Sequence, residues 1–195
     1  MKRTHLLSAI ALGSLMTLAA CDIRADETPA PATEEPAATA AAADPEPAEA
    51  APAAPEVEPN GTVIEVQMLT RDPDGSGLQV FKPRLITAKV GDTVKFVPTD
   101  PTHQSSSIEG MLPEGVRGWE GEINQEVSYV LPKPGVYGYQ CVPHYAAGMV
   151  GLIIVEGDGM TDNLEAAKAV THPGLAGRKF GEIFEEAESS GMLGG

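Results

Sequence analysis

A chain of 195 residues can hold one ordinary domain or two small ones, and its formal net charge of −15 argues against nucleic acid as a partner. Of the charged residues, 3 basic and 10 acidic ones precede Gly61, which leaves 10 against 18, a net −8, in the remainder. The partner surface is therefore expected to be basic or neutral, because electrostatic steering speeds encounter only between complementary signs.

Residues 1–20 read as an export signal. Lys2 and Arg3 give a basic start, and Leu6 to Ala20 is an apolar run of the kind found in signal peptides. It is too short and too rich in Ala, Ser and Gly for a permanent transmembrane helix. The run ends in Leu18-Ala19-Ala20-Cys21, which resembles the bacterial lipobox, in which the Cys becomes the lipidated first residue of the mature protein. The competing reading, an ordinary A-x-A cleavage, leaves Cys21 as an exposed free thiol, a liability in an exported chain. Asp22 is the residue that, in lipoproteins of enteric bacteria, often keeps the anchor in the inner membrane. The expected location is the periplasm of a Gram-negative bacterium, with the chain anchored to a membrane through Cys21.

The segment 21–60 is dominated beyond Ala25 by Ala, Pro, Glu and Thr and has no aromatic residue. It cannot bury enough apolar surface to offset the entropy of ordering, so it is expected to be a disordered tether. At about 3.1 Å per residue, roughly 35 residues of it reach on the order of 100 Å when fully extended. With Cys21 lipidated, Cys141 is the one remaining thiol and no disulfide can form.

From Gly61 to about Gly157, short β-favouring runs alternate with turn signals. Thr62 to Met68 sets Ile64, Val66 and Met68 against polar neighbours. Leu78 to Phe81 and Leu85 to Ala88 follow, then Thr93 to Val97 after the turn pair Gly91-Asp92. Glu126 to Leu131, Val136 to Gln140 after Pro134-Gly135, and Val150 to Val155 complete the set. Seven or eight strands at this spacing predict an all-β Greek-key sandwich. The Gly- and Pro-punctuated stretch from Met111 to Trp119 is expected to carry at most one helical turn. After Gly157 the pattern changes to two helices. The first, capped by Thr161 or Asp162, runs through Asn163 to Val170 and is broken by His172-Pro173-Gly174. The second, Leu175 to Ala187, places Phe180, Ile183, Phe184 and Ala187 on one face to pack on the sandwich.

The stretch Cys141-Val142-Pro143-His144-Tyr145-Ala146-Ala147-Gly148-Met149 has the spacing C-x2-H-x4-M. A thiolate, an imidazole and a thioether are soft donors that select copper, and a mononuclear electron-transfer copper site needs one Cys, two His and a weak axial Met. His103, just after the run Thr93 to Val97, is the candidate for the second His. Each residue has a bland alternative: a buried Cys, a hydrogen-bonded His, a core Met. Their joint spacing between two β runs is hard to obtain from packing alone. Zinc competes as the metal, but structural zinc sites prefer several thiolates or a closed tetrahedral set. His5 lies in the signal segment and His172 beside a helix break, so neither is read as a ligand.

In Ile64-Glu65-Val66-Gln67-Met68-Leu69, Gly91-Asp92-Thr93-Val94, Met111-Leu112-Pro113-Glu114-Gly115 and the Cys141–Met149 stretch, the chain resembles the pseudoazurins, small bacterial cupredoxins. The likeness spans roughly residues 62 to 188, and the helical tail favours that family over plastocyanin. The resemblance implies a cupredoxin sandwich over residues 61–190 with a two-helix extension. It implies one type 1 copper held by His103, Cys141, His144 and Met149, cycling between Cu(II) and Cu(I) in a carrier that is not an enzyme. It also implies that His144 sits nearest the surface, in an apolar end formed by Pro143, Tyr145, Ala146, Ala147 and Met111, where the electron enters and leaves. The implied partners are redox proteins such as nitrite reductase, nitrous-oxide reductase or c-type cytochromes, met by a monomer.

Two departures from the family stand out. Gln104 occupies the place of an Asn whose amide bonds backbone near the ligand Cys, and a Lys ring around the copper end is replaced by Arg117-Gly118-Trp119-Glu120-Gly121-Glu122. Trp119 there is read either as an aromatic contact for a partner or as a packing residue. Copper enzymes built on this fold need further His clusters, and this chain has 4 His in all. A copper delivery or storage protein is the more serious rival, although the tether lacks the Met- and His-rich segments such a role usually uses.

Overall fold

A computed structural model gives the fold of residues 57–75 and 77–194. The expected signal segment, the Cys21 anchor and nearly all of the tether lie outside the described residues. Eight strands precede two helices: β1 (Val63–Arg71), β2 (Leu78–Lys82), β3 (Leu85–Lys89), β4 (Thr93–Pro98), β5 (Ser106–Ser107), β6 (Val127–Val130), β7 (Gly135–Gln140), β8 (Val150–Glu156), α1 (Leu164–Ala169) and α2 (Ala176–Ser189). They form two four-stranded sheets, ordered β2-β1-β4-β6 and β3-β8-β7-β5. β1 runs parallel to β4 and β3 parallel to β8, while the remaining pairs are antiparallel. The all-β sandwich with a C-terminal helix pair is as expected.

The side-chain period of two decides which face each residue takes. In β1, Val66 and Met68 are buried between exposed Glu65 and Gln67. β8 is buried on both faces, which is why it reads as an unbroken apolar run rather than an alternation. Its Ile153 and Val155 enter the core between the sheets with Phe81, Phe96 and Tyr139, whereas Leu152 and Ile154 point outward into a second core under the helices. The helices therefore form a third layer on the β3-β8-β7-β5 sheet.

α2 is amphipathic as predicted, with Ala176, Phe180, Ile183, Phe184 and Ala187 buried along one side. α1 is shorter than expected, and neither Thr161 nor Asp162 caps it with a side chain. Asn163 stands at its N-cap, and its amide is used across the chain instead, accepting from Val136 N–H at 2.9 Å and donating to Val136 O at 2.7 Å. The connection from Met111 to Trp119 contains no helix, and β5 is a strand of two residues. Gly138 lets Met111 lie flat on β7: a Cβ there would stand 2.5 Å from the Met111 sulfur.

Candidate metal centre

His103 lies in the connection between β4 and β5, and Cys141, His144 and Met149 lie on the loop joining β7 to β8. The alternation of β7 carries Tyr137 and Tyr139 into the inter-sheet core, and Cys141, next on the same face, enters it too. The chain then makes one 3-10 turn, Val142–His144, with a Pro in its first two positions, where a missing N–H costs little. Backbone hydrogen bonds close the loop on itself. His144 N–H donates to Cys141 O (3.0 Å), Gly148 N–H to Tyr145 O (2.8 Å), Met149 N–H to His144 O (3.2 Å) and Cys141 N–H to Met149 O (3.0 Å). Gly148 adopts φ +91 within this closure, a value that favours glycine.

The ligand atoms converge. His103 Nδ1 and His144 Nδ1 are 3.1 Å apart, and Cys141 Sγ lies 3.3 Å from His144 Nδ1 and 3.8 Å from His103 Nδ1. With metal–ligand bonds of about 2.0–2.3 Å, three donors in a trigonal plane stand roughly 3.5–3.8 Å from one another. One ion therefore fits among these three atoms with small adjustment. His103, Cys141 and Met149 have 0% exposure, while His144 is partly exposed. One thiolate and two imidazoles, with a buried thioether on the same loop, form the donor set of an electron-transfer copper.

The surroundings orient these donors. His103 Nε2 lies 3.1 Å from the Thr70 hydroxyl at the end of β1, leaving Nδ1 to face the cluster. Burial, and next the nearness of His144, hold the His103 pKa below its ordinary value, against a smaller opposing effect of Asp100. Burial pushes the Cys141 thiol up, and the backbone N–H groups of Gln104 and His144, which bond its sulfur, pull it partly back. Gln104 thus reaches the thiol through its backbone, while its side-chain oxygen accepts from Ser106 Oγ at 3.2 Å. Ser105 is held by Trp119, whose ring N–H donates to Ser105 Oγ at 3.1 Å.

One open reading is decided and one expectation needs correction. Of the two roles read for Trp119 the structure takes packing: it is 7% exposed and stacks on Phe96 with ring centroids 5.3 Å apart. Met111 does not line the apolar end around His144. It is fully buried in the core beneath the helices, against Gly138. Thr70 is a functional side chain that sequence reasoning missed, because an outward Thr on a strand carries no local mark of a partner 33 residues away.

The sequence model of "Copper binding proteins, plastocyanin/azurin family" matches residues 66–156. The chain is 42% identical over 125 residues to the pseudoazurin of Methylorubrum extorquens, which covers 64% of this chain and 82% of that protein. It is 43% identical over 109 residues to the pseudoazurin of Paracoccus pantotrophus, covering 56% of this chain and 72% of that one. The solved pseudoazurin of Sinorhizobium meliloti superposes with a TM-score of 0.62 at 43% identity, over 67% of this chain and 99% of that one. Fold and donor set define a copper-binding cupredoxin. The chain belongs to the pseudoazurin family, and is a copper electron-transfer protein of that kind.

Proposed function

We propose that this protein is a periplasmic electron carrier whose single type 1 copper would be held by His103, Cys141, His144 and Met149. The observation that carries the assignment is the trio of ligand atoms within 4.8 Å of one another, buried at His103 and Cys141 and reaching the surface through His144. Copper bound there would supply the redox chemistry, exchanging one electron between Cu(II) and Cu(I). The chain's own residues do the rest. Strands β7 and β8 and the closed loop hold the donors still, so that little rearranges between the two states. The core excludes water from Cys141 and Met149. Exposed Val142, Pro143, Ala146 and Ala147 surround His144 with small apolar groups against which a redox partner can press. The role we infer is that of a carrier and not an enzyme.

The partners we infer are redox proteins of respiration or denitrification, of the class of nitrite reductase, nitrous-oxide reductase or c-type cytochromes. The acidic domain favours a basic docking surface among them. Export and membrane anchoring rest on Lys2, Arg3, the apolar run and Cys21. Among the described residues no helix is long and apolar enough to cross a membrane.

The test is the visible absorption spectrum of the purified protein loaded with Cu(II). An intense thiolate-to-copper band in the red, bleached by reductant, restored by oxidant and absent from Cys141→Ser, is the expected result. Tight Cu(I) binding without such a band would instead favour copper delivery or storage, and no copper binding would overturn both readings.

A further inference from the structure

The helix pair and its connector touch the copper loop at two polar points, of which one joins side chains. The Tyr145 hydroxyl lies 2.5 Å from His172 Nδ1, where His172 belongs to the connector between α1 and α2. His172 is fixed from behind: its ring stacks on Phe180 of α2 at 4.4 Å between centroids, and Phe180 is buried. Beside this pair, Leu175 N–H donates to Ala146 O at 2.8 Å. Gly174, at φ +54, brings the connector so close that a Cβ there would stand 2.3 Å from Ala146 O. The loop is therefore divided between two cores. Cys141 and Met149 pack with the inter-sheet core, while Tyr145 packs with the core under the helices.

We propose that His172 is a positioning residue for electron transfer: through Tyr145 it ties the outer half of the ligand loop to α2 and so limits how far His144 and Met149 move between oxidation states. His144 and Tyr145 are consecutive, so a displacement of the Tyr145 ring moves the backbone that carries the exposed imidazole. The bond forms in either neutral tautomer, the hydroxyl donating to a bare Nδ1 or accepting from Nδ1–H. The inference rests on the reading of the Cys141–Met149 loop as the metal-holding loop.

Tyr145→Phe removes one oxygen, and His172→Phe keeps an aromatic ring on Phe180 but offers no polar atom. His172→Asn places a polar atom near the position of Nδ1. In the metal-free full chain, amide hydrogen exchange of Gly148, Met149 and Leu175 is expected to quicken roughly three- to tenfold in each Phe variant, the effect of one lost hydrogen bond. The double variant should be no faster than either single one, because both remove the same bond, and His172→Asn should return exchange toward the parent rate. In the copper-loaded protein, electron self-exchange should slow in both Phe variants and recover in His172→Asn. Unchanged loop exchange in both single variants, additive effects in the double variant, or unaltered self-exchange would each overturn the proposal. The spectrum of the unsubstituted protein tests the metal-holding loop separately, so failure of the tether and failure of the copper reading are told apart.

Discussion

Thr70 shows how one hydroxyl shapes the site. By engaging His103 Nε2 at 3.1 Å, it fixes which ring nitrogen faces the cluster, and loss of such a partner typically weakens metal binding 10- to 100-fold. Thr70 is exposed, so water can partly replace it. Thr70→Val is therefore expected to lower copper affinity by about tenfold, measured by competition with a chelator, with the fold unchanged by circular dichroism. Tyr137 acts on stability instead. It is fully buried, and its hydroxyl donates to Lys133 O at 2.6 Å. Burial, with a smaller contribution from nearby Tyr129, pushes its pKa above the ordinary tyrosine value. The unfolded chain thus gives up this proton first, so the stability is whole below about pH 10 and falls as pH rises further, by about 1.4 kcal/mol per unit from this group. Urea unfolding of the parent and of Tyr137→Phe from pH 9 to 11 checks this, the variant being expected to show the shallower decline.

Among the elements, β7 and α2 carry the most consequence. β7 delivers Cys141 to the core because Tyr137, Tyr139 and Cys141 share one face, and a register slip of one residue would turn the thiol outward. α2 covers the outer face of β8, where Leu152 and Ile154 would otherwise meet water. Phe180 is central to that cover, packed on Phe184 and His172. Phe180→Ala is expected to cost about 3–5 kcal/mol, read as a lower urea midpoint, and to loosen the copper loop through His172. The helical spacing of Phe180, Ile183, Phe184 and Ala187 is legible in the sequence because an amphipathic period needs only local information. β5 is not legible: two serines carry no β pattern, and they form a strand because β7 offers them backbone partners at Tyr139 and Gln140.

For the molecule as a whole, charge is the property that meets a partner. Most described basic side chains are already engaged with carboxylates: Lys82 with Asp72 and Asp74, Arg84 with Glu182 and Glu186, Lys95 with Glu126, Lys168 with Glu188, and Arg178 and Lys179 with Glu182. Exposed pairs of this kind add little stability, but they neutralise cations that would otherwise offset the acidic surface. Electron transfer with a cationic redox protein should therefore slow by about tenfold as ionic strength rises from 10 to 100 mM and the screening length shrinks from about 30 to about 10 Å. The rate should rise, not fall, with an anionic partner. Stopped-flow mixing with proteins of either sign reads this directly, and a rate indifferent to salt would remove electrostatic steering from the account.

The sequence by itself determined the strand pattern apart from β5, the helical tail and the loop spacing C-x2-H-x4-M. Side-chain period and ligand chemistry are written in consecutive residues, and the short loop leaves Cys141, His144 and Met149 little room to part. The tertiary structure decided what depends on distance along the chain. It brought His103 to the loop, set Thr70 behind it, sank Trp119 and Met111 into cores, and placed His172 against Tyr145. Such pairings arise where two sheets and a helix layer close on one another, and no local pattern encodes them, because the free energy that selects them is that of packing the whole.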